Sequence, residues 1–464
     1  MSMDAHTRAS LRARSVPMRR ALPKLLREPA GAFAEFAREA RGEVVQLRLG
    51  PFRPYLVTHP DHIQQVMRLE WTKHRRVGMF WRPLERLFGH SIMSDGEHWQ
   101  HSRKVLQPLF TTRYVATIAD EVSKSVTGRI EEWDEYVRSG RDFDAATEMS
   151  SILSYVVNRV LFGDKLDRRH GERIIPALEQ ASHSLVYRVL MPFMPYFVQV
   201  PGDRAFMKAV RSIDDVVFPV VRKAMAEPDD NVDIVSVLCR SVDENGDRLT
   251  EKQIRDALVS VYAASSETTA MVLAWLWLLL DEHPEVAARL QAEIDEVVGE
   301  GPVVPEDIPR LVYTRMVLQE TLRLYPAGWF LPRTVMEDTE VGGVRIKTGS
   351  SVLITPYATQ RLEEFWERPD EFDPERFAPG GSQSEERRHR YSYFPFGGGP
   401  HRCLGEPLFY VETPLIVASI LSRFRMSVRT PGPFGTGWAA SLRPRKKVAL
   451  GVSFNGRDRS GALR

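Results

Sequence analysis

The chain carries one thiol in a setting suited to metal ligation. Cys403 lies in Phe396-Gly-Gly-Gly-Pro-His-Arg-Cys-Leu-Gly405. Three consecutive glycines let the backbone turn tightly and approach a flat ligand without Cβ clashes. His401, Arg402 and the N-terminus of a helix expected just beyond would lower the thiol pKa, so that the anion is the ligand. Phe396 would shield one face, and Gly405 relieves crowding past the sulfur. Read as residues alone, the run also fits a Gly-rich surface loop with an incidental cysteine. A second constellation is Ala263-Ala-Ser-Ser-Glu-Thr-Thr269. Hydroxyls and a carboxyl inside an apolar helix are costly unless they bond to something. Glu267 beside Thr268 is an acid–alcohol pair able to move protons, and a Ser/Thr bend in a core helix is the plainer alternative. Third, Glu320 and Arg323 stand at i,i+3 on one helix face, with Arg376 downstream in Pro374-Glu-Arg-Phe377. Trp99 and Arg103 stand at i,i+4.

These residues need elements to hold them. Thr250-Glu-Lys-Gln253 predicts a capping box opening a helix that Pro284 stops near His283. Its second half is apolar nearly all round, which predicts burial. Alternating runs at Val44–Leu49, Tyr55–Thr58, Val341–Ile346 and Ser351–Thr355 predict strands of a small sheet drawn from both ends of the chain. Most of residues 95–324 reads as helix. Breaks fall at Met191-Pro-Phe-Met-Pro195, after Glu227, and at Pro379-Gly-Gly381.

The Cys403 run resembles the haem-binding signature of the cytochrome P450 family: Phe396, Gly399, His401, Cys403 and Gly405 match it. Ala264, Glu267, Thr268 and Thr269 resemble the family's oxygen-activation pattern. Glu320, Arg323 and Arg376 resemble its three-way structural lock. The resemblance covers the chain from about Val44 onward. It implies a mainly α fold with a small β-sheet, with the haem between the long central helix and the Cys-loop helix. It implies a single domain over residues 31–464 and, from composition, a basic, partly disordered arm over residues 1–30. Cys403 would ligate the iron of haem b, with no bound flavin. Trp99, Arg103, Arg333 and His401 would hold the propionates, and Thr268 and Glu267 would deliver protons. Ser265 replaces the usual glycine, Phe409 replaces a small residue ahead of the matching Glu412, and Pro414 falls inside the expected Cys-loop helix.

The implied activity is a haem-thiolate monooxygenase acting with O2. Phe80, Trp81, Tyr187, Met191, Phe193, Ser265, Trp329 and Phe330 are expected to line the substrate pocket. Their apolar and aromatic character points to a bulky hydrophobic small molecule, a terpenoid in this reading, with fatty acids, steroids and macrolides as alternatives. A non-catalytic haem sensor is the reading from another class. Electrons from NAD(P)H are expected through a separate ferredoxin and ferredoxin reductase, steered by Arg387, Arg388, Arg390, Arg402 and Lys104.

Composition sets further bounds. With 464 residues, 43% of them hydrophobic, the chain buries a sizeable core. A formal charge of +2 gives no sign of bulk nucleic-acid binding. Two cysteines without a pairing pattern suit a reducing cytoplasm. The basic start has no apolar signal region, and the longest apolar run, Ala270 to Leu280, is short for a membrane span.

Overall fold

The structure is a computed structural model that describes residues 12–190, 194, 197–242, 246–299, 301–437 and 440–456. These form two compact units, each assembled from three stretches of chain.

The first unit is built on a six-stranded sheet in the order Arg14–Pro17, Val45–Arg48, Tyr55–Val57, Ser351–Ile354, Leu331–Val335, His74–Arg75. Tyr55 pairs in parallel with Val352, which pairs antiparallel with Arg333 on its other side. Val57, Val352 and Ile354 are fully buried and pack with Ile63, Met67, Val335 and Phe394. Three of the four expected strands lie in this sheet. The fourth, Val341–Ile346, is instead a separate hairpin, Thr339–Val341 with Val344–Ile346, because Gly342 and Gly343 both take positive φ at its turn. Leu331–Val335, which carries Pro332, pairs with Ser351–Ile354 and adds a strand that is not among the four expected runs.

The arm expected over residues 1–30 as basic and partly disordered carries regular structure in its described part. Arg14–Pro17 pairs in parallel with Val45–Arg48, and Met18–Arg27 is a helix that buries Ala21 and Leu25. The density of arginines masked these few apolar anchors.

The second unit is mainly helical. Its central helix, Glu251–Glu282, opens with the expected capping box of Thr250 and Gln253 and ends at His283. All residues of 254–262 and of 269–280 are buried, whereas Ala263, Ala264, Ser265, Glu267 and Thr268 are not. The helix is therefore a core element interrupted by one accessible stretch in its middle. The Cys-loop helix, Glu406–Arg423, contains Pro407 in its first turn and runs on past Pro414. Pro414 has no N–H to offer the Tyr410 carbonyl one turn back. Phe424–Val428, Ala449–Phe454 and Phe143–Asp144 form a three-stranded sheet.

Candidate active site

The first unit holds the thiol. Residues 396–402 form a turn and a short 3-10 segment, Gly399–His401. The Cys403 N–H donates to the Phe396 carbonyl at 2.9 Å, closing the loop on itself. Cys403 is exposed and in no disulfide. Two glycines are demanded by the protein's own packing. A Cβ on Gly398 would stand 2.4 Å from the Tyr391 ring. One on Gly399, whose φ is +64°, would stand 1.8 Å from the Met67 carbonyl oxygen. Met67 belongs to the π-helical turn Gln65–Leu69, so that turn braces the Cys loop. The sequence accounts for these glycines by tight turning and ligand approach. Their long-range partners were invisible to it.

His401 packs edge-on against Trp71, with ring centroids 5.6 Å apart. Arg333 is 5% exposed in its strand, and its Nη1 donates to the Pro332 carbonyl at 2.8 Å. Trp329 and Phe330 both stack on Phe33, at 6.2 and 6.1 Å. Trp329 is buried there. Arg387, Arg390 and Arg402 are exposed, but Arg388 turns inward over the Tyr393 ring.

The second unit holds the acid–alcohol pair, one flank of the expected propionate set, and the lock. Trp99 and Arg103 lie on the helix Gly96–Leu106, whose N-cap Asp95 accepts from the Gly96 N–H. Trp99 is buried, and Arg103 Nε donates to Gln107. On the central helix, three hydroxyls bond back one turn: Ser265 to Val261, Ser266 to Tyr262 and Thr268 to Ala264. The Ser265 hydroxyl donates to its own helix, at 2.8 Å from the Val261 carbonyl.

Thr269 differs from those three. Its hydroxyl donates to Glu412 Oε1 on the Cys-loop helix at 3.1 Å. Glu412 is fully buried, and its Oε2 has no hydrogen-bond partner among the described residues. Burial raises its pKa to about 8, with the Thr269 bond pulling weakly the other way. Burial therefore favours the neutral acid over the carboxylate at Glu412.

Glu267 points to a cavity of about 450 Å3 lined by Ala263, Ser266, Met271, Thr147, Arg443 and Lys447 among others. Arg443 Nη2 donates to its Oε1 at 2.6 Å. No sequence signal linked Arg443 to the helix, because it lies in the irregular C-terminal stretch.

Glu320, Arg323 and Arg376 meet. Arg323 grips the Glu320 carboxylate bidentately, with both bonds at 2.7 Å. Arg376 Nε stands 3.3 Å from Glu320 Oε1, and the Asp373 N–H donates to the same oxygen at 3.0 Å. All three side chains are essentially inaccessible. Phe80 and Trp81 precede the helix Arg82–Phe88 and are half-buried. Tyr187 lies in the helix Arg168–Leu190, with its side chain outside the described set, and Met191 and Phe193 lie outside the described residues.

The chain matches the cytochrome P450 profile over residues 15–450 and belongs to that family. It is 34% identical over 416 residues to cyclooctat-9-en-7-ol 5-monooxygenase of Streptomyces melanosporofaciens, covering 89% of this chain and 88% of the relative. It is 26% identical over 419 residues to pentalenene oxygenase of Streptomyces avermitilis, covering 90% and 89%. The solved cytochrome P450DA heme domain superposes with a TM-score of 0.84 at 23% identity, covering 96% of this chain and 98% of that one, which speaks for the fold. The chain is a cytochrome P450 monooxygenase.

Membership implies a haem held by a cysteine thiolate. The residues fit that group. An accessible thiol ends a loop that two glycine contacts hold in one shape. A run of small and hydroxyl residues breaks the burial of the central helix.

Proposed function

We propose that this monooxygenase hydroxylates or epoxidises a terpenoid, taking electrons from NAD(P)H through a separate ferredoxin and its reductase, in the cytoplasm. The observation that carries the substrate class is the 34% identity, across most of both chains, to a relative named for cyclooctat-9-en-7-ol. The relative named for pentalenene supports the same class.

Cys403 would ligate the haem iron. Trp99, Arg103, Arg333 and His401 would hold its propionates, and Phe396, Gly399, Gly405 and Ala264 would pack near the ring. When bound, the haem supplies the centre at which dioxygen is reduced and one oxygen atom passes to the substrate. The balance is substrate C–H plus O2, two electrons and two protons, giving C–OH and water.

The chain's own residues serve the protons and the fit. The Glu267 carboxylate sits at the edge of a cavity, where it takes protons from solvent. The Thr268 hydroxyl rests on the Ala264 carbonyl at 2.5 Å and keeps its lone pairs for a proton arriving from Glu267. Glu320, Arg323 and Arg376 serve folding and haem retention. Phe80, Trp81, Tyr187, Met191, Phe193, Ser265 and Phe330 would face or border the substrate, and Trp329 would support that wall through Phe33.

The test is turnover of purified protein with NADPH, a surrogate ferredoxin and reductase, and isotope-labelled dioxygen, over a panel of terpenes and fatty acids. A terpene product carrying one labelled oxygen supports the reading. Turnover confined to fatty acids overturns the substrate class, and haem binding without any oxygenated product overturns the catalytic reading in favour of a sensor.

A further inference from the structure

The helix Met18–Arg27 has two faces of different character. Ala21 and Leu25 are buried against the rest of the first unit. Met18, Leu22 and Leu26 are 48%, 40% and 62% exposed. They stand at i, i+4 and i+8, beside Ala21 and Leu25 at i+3 and i+7, so they form the exposed edge of one apolar stripe. Isolated exposed leucines are ordinary, but an aligned row of three on one short helix is not.

Cations line that row. The segment from Arg12 to Arg27 contains Arg12, Arg14, Arg19, Arg20, Lys24 and Arg27 and no acidic residue. Arg20 and Lys24 turn toward the protein, where they pair with Glu35 and Glu39 of the following helix. Arg14 donates to the Glu39 carbonyl. Arg12, Arg19 and Arg27 are exposed. Arg19 and Arg27 each follow a residue of the apolar row by one position, so they flank it. The inward cations have protein carboxylates to meet, whereas the outward ones face solvent beside leucines.

We propose that this helix is an interfacial anchor that seats the protein on an anionic lipid surface, with Met18, Leu22 and Leu26 entering the headgroup boundary and Arg12, Arg19 and Arg27 meeting lipid phosphates. An apolar row bordered by cations is the pattern of a helix that lies in the membrane plane. An acidic soluble partner would match the charges but leave the aligned apolar row unexplained. A second copy of the chain would bring like charges together. The physical gain is local: a protein that handles a hydrophobic small molecule meets it at high concentration beside a bilayer.

The proposal is independent of haem binding and of the substrate class, and it is tested on the full chain by co-sedimentation with vesicles. The probes are vesicles of phosphatidylcholine alone and of equal parts phosphatidylcholine and phosphatidylglycerol. The protein pellets with the mixed vesicles and not with phosphatidylcholine, and the binding weakens in high salt. Arg19→Gln with Arg27→Gln weakens it about 25-fold, at roughly fivefold per cation. Leu22→Glu with Leu26→Glu abolishes it. Both pairs are exposed, so the thermal midpoint of unfolding stays that of the wild type and serves as the folding control. Three results would overturn the proposal: no pelleting with the mixed vesicles, pelleting that neither pair of substitutions changes, or self-association of the free chain that Leu22→Glu with Leu26→Glu removes while vesicles capture nothing.

Discussion

Arg443 holds the Glu267 carboxylate at 2.6 Å across 176 positions of sequence. The arginine lies in the two-residue strand Arg443–Pro444, and the acid lies in the middle of the central helix. Their side chains are 30% and 24% exposed, so the pair sits at the rim of its cavity, in contact with water. Such a pair fixes where the acid waits without locking it there. Arg443→Gln should release Glu267, lowering the share of NADPH electrons recovered as product by about fivefold at most, because a half-exposed ion pair is worth no more than about 1 kcal/mol. Substrate affinity should not change. Measuring product and peroxide per NADPH, with substrate binding followed separately, checks this. A loss of affinity with intact coupling would show that Arg443 serves packing instead.

Ser265 offers a contrast. Its hydroxyl proton is held by the Val261 carbonyl of its own helix, so it is not a proton donor to the site. Ser265→Gly should leave coupling close to wild type and cost about 0.5 kcal/mol of stability through helix propensity. Urea unfolding and coupling on the same preparation separate the two effects.

The buried trio should behave oppositely. Removing Arg323 leaves the Glu320 carboxylate buried with one side abandoned. Arg323→Ala should cost about 3–5 kcal/mol and lower the fraction of protein that retains haem. Denaturant unfolding and the haem-to-protein ratio report it, and a stability change under about 1 kcal/mol would contradict the lock.

Gly399→Ala places a methyl where the Met67 carbonyl already stands, at a backbone φ of +64°. Left-handed backbone costs about 1–2 kcal/mol for a residue with Cβ, and the clash adds to it. The variant should lose haem at a lower temperature than wild type, read from the visible spectrum during heating. Gly349→Ala, with positive φ but open space around its Cβ, should show only the smaller backbone cost.

Glu412 predicts a pH dependence. Its pKa is raised from 4.5 to about 8 by burial, so the folded protein holds a proton that the unfolded chain gives up. Stability from this group is complete below about pH 4.5, falls as pH rises, and is lost above about pH 8. Glu412→Gln keeps the shape and removes the titration. The thermal midpoint of wild type relative to the variant should therefore decline between these limits. A difference flat with pH would mean that Glu412 is already ionised in the folded protein.

Local chemistry made part of this architecture readable. The central helix announces itself through Thr250, Gln253 and Pro284, and each acts within four residues of the helix end it sets. The Cys loop is legible because the turn needs glycine. The reading failed where the partner is distant. Nothing near Gly399 names Met67, and nothing near Glu267 names Arg443. Charge alone placed Arg388 on the surface, while the Tyr393 ring draws it inward. The arginine-rich start concealed a strand and a helix whose few buried residues, Val16, Ala21 and Leu25, decide their fate.

The most direct test of the central claim is the visible spectrum of the reduced protein under carbon monoxide, for wild type and Cys403→Ala. Thiolate ligation by Cys403 predicts a strongly red-shifted Soret band that the substitution removes. A protein that takes up no haem, or one whose band is of the histidine-ligated type and unchanged by Cys403→Ala, would contradict the role given to Cys403 and every role derived from it.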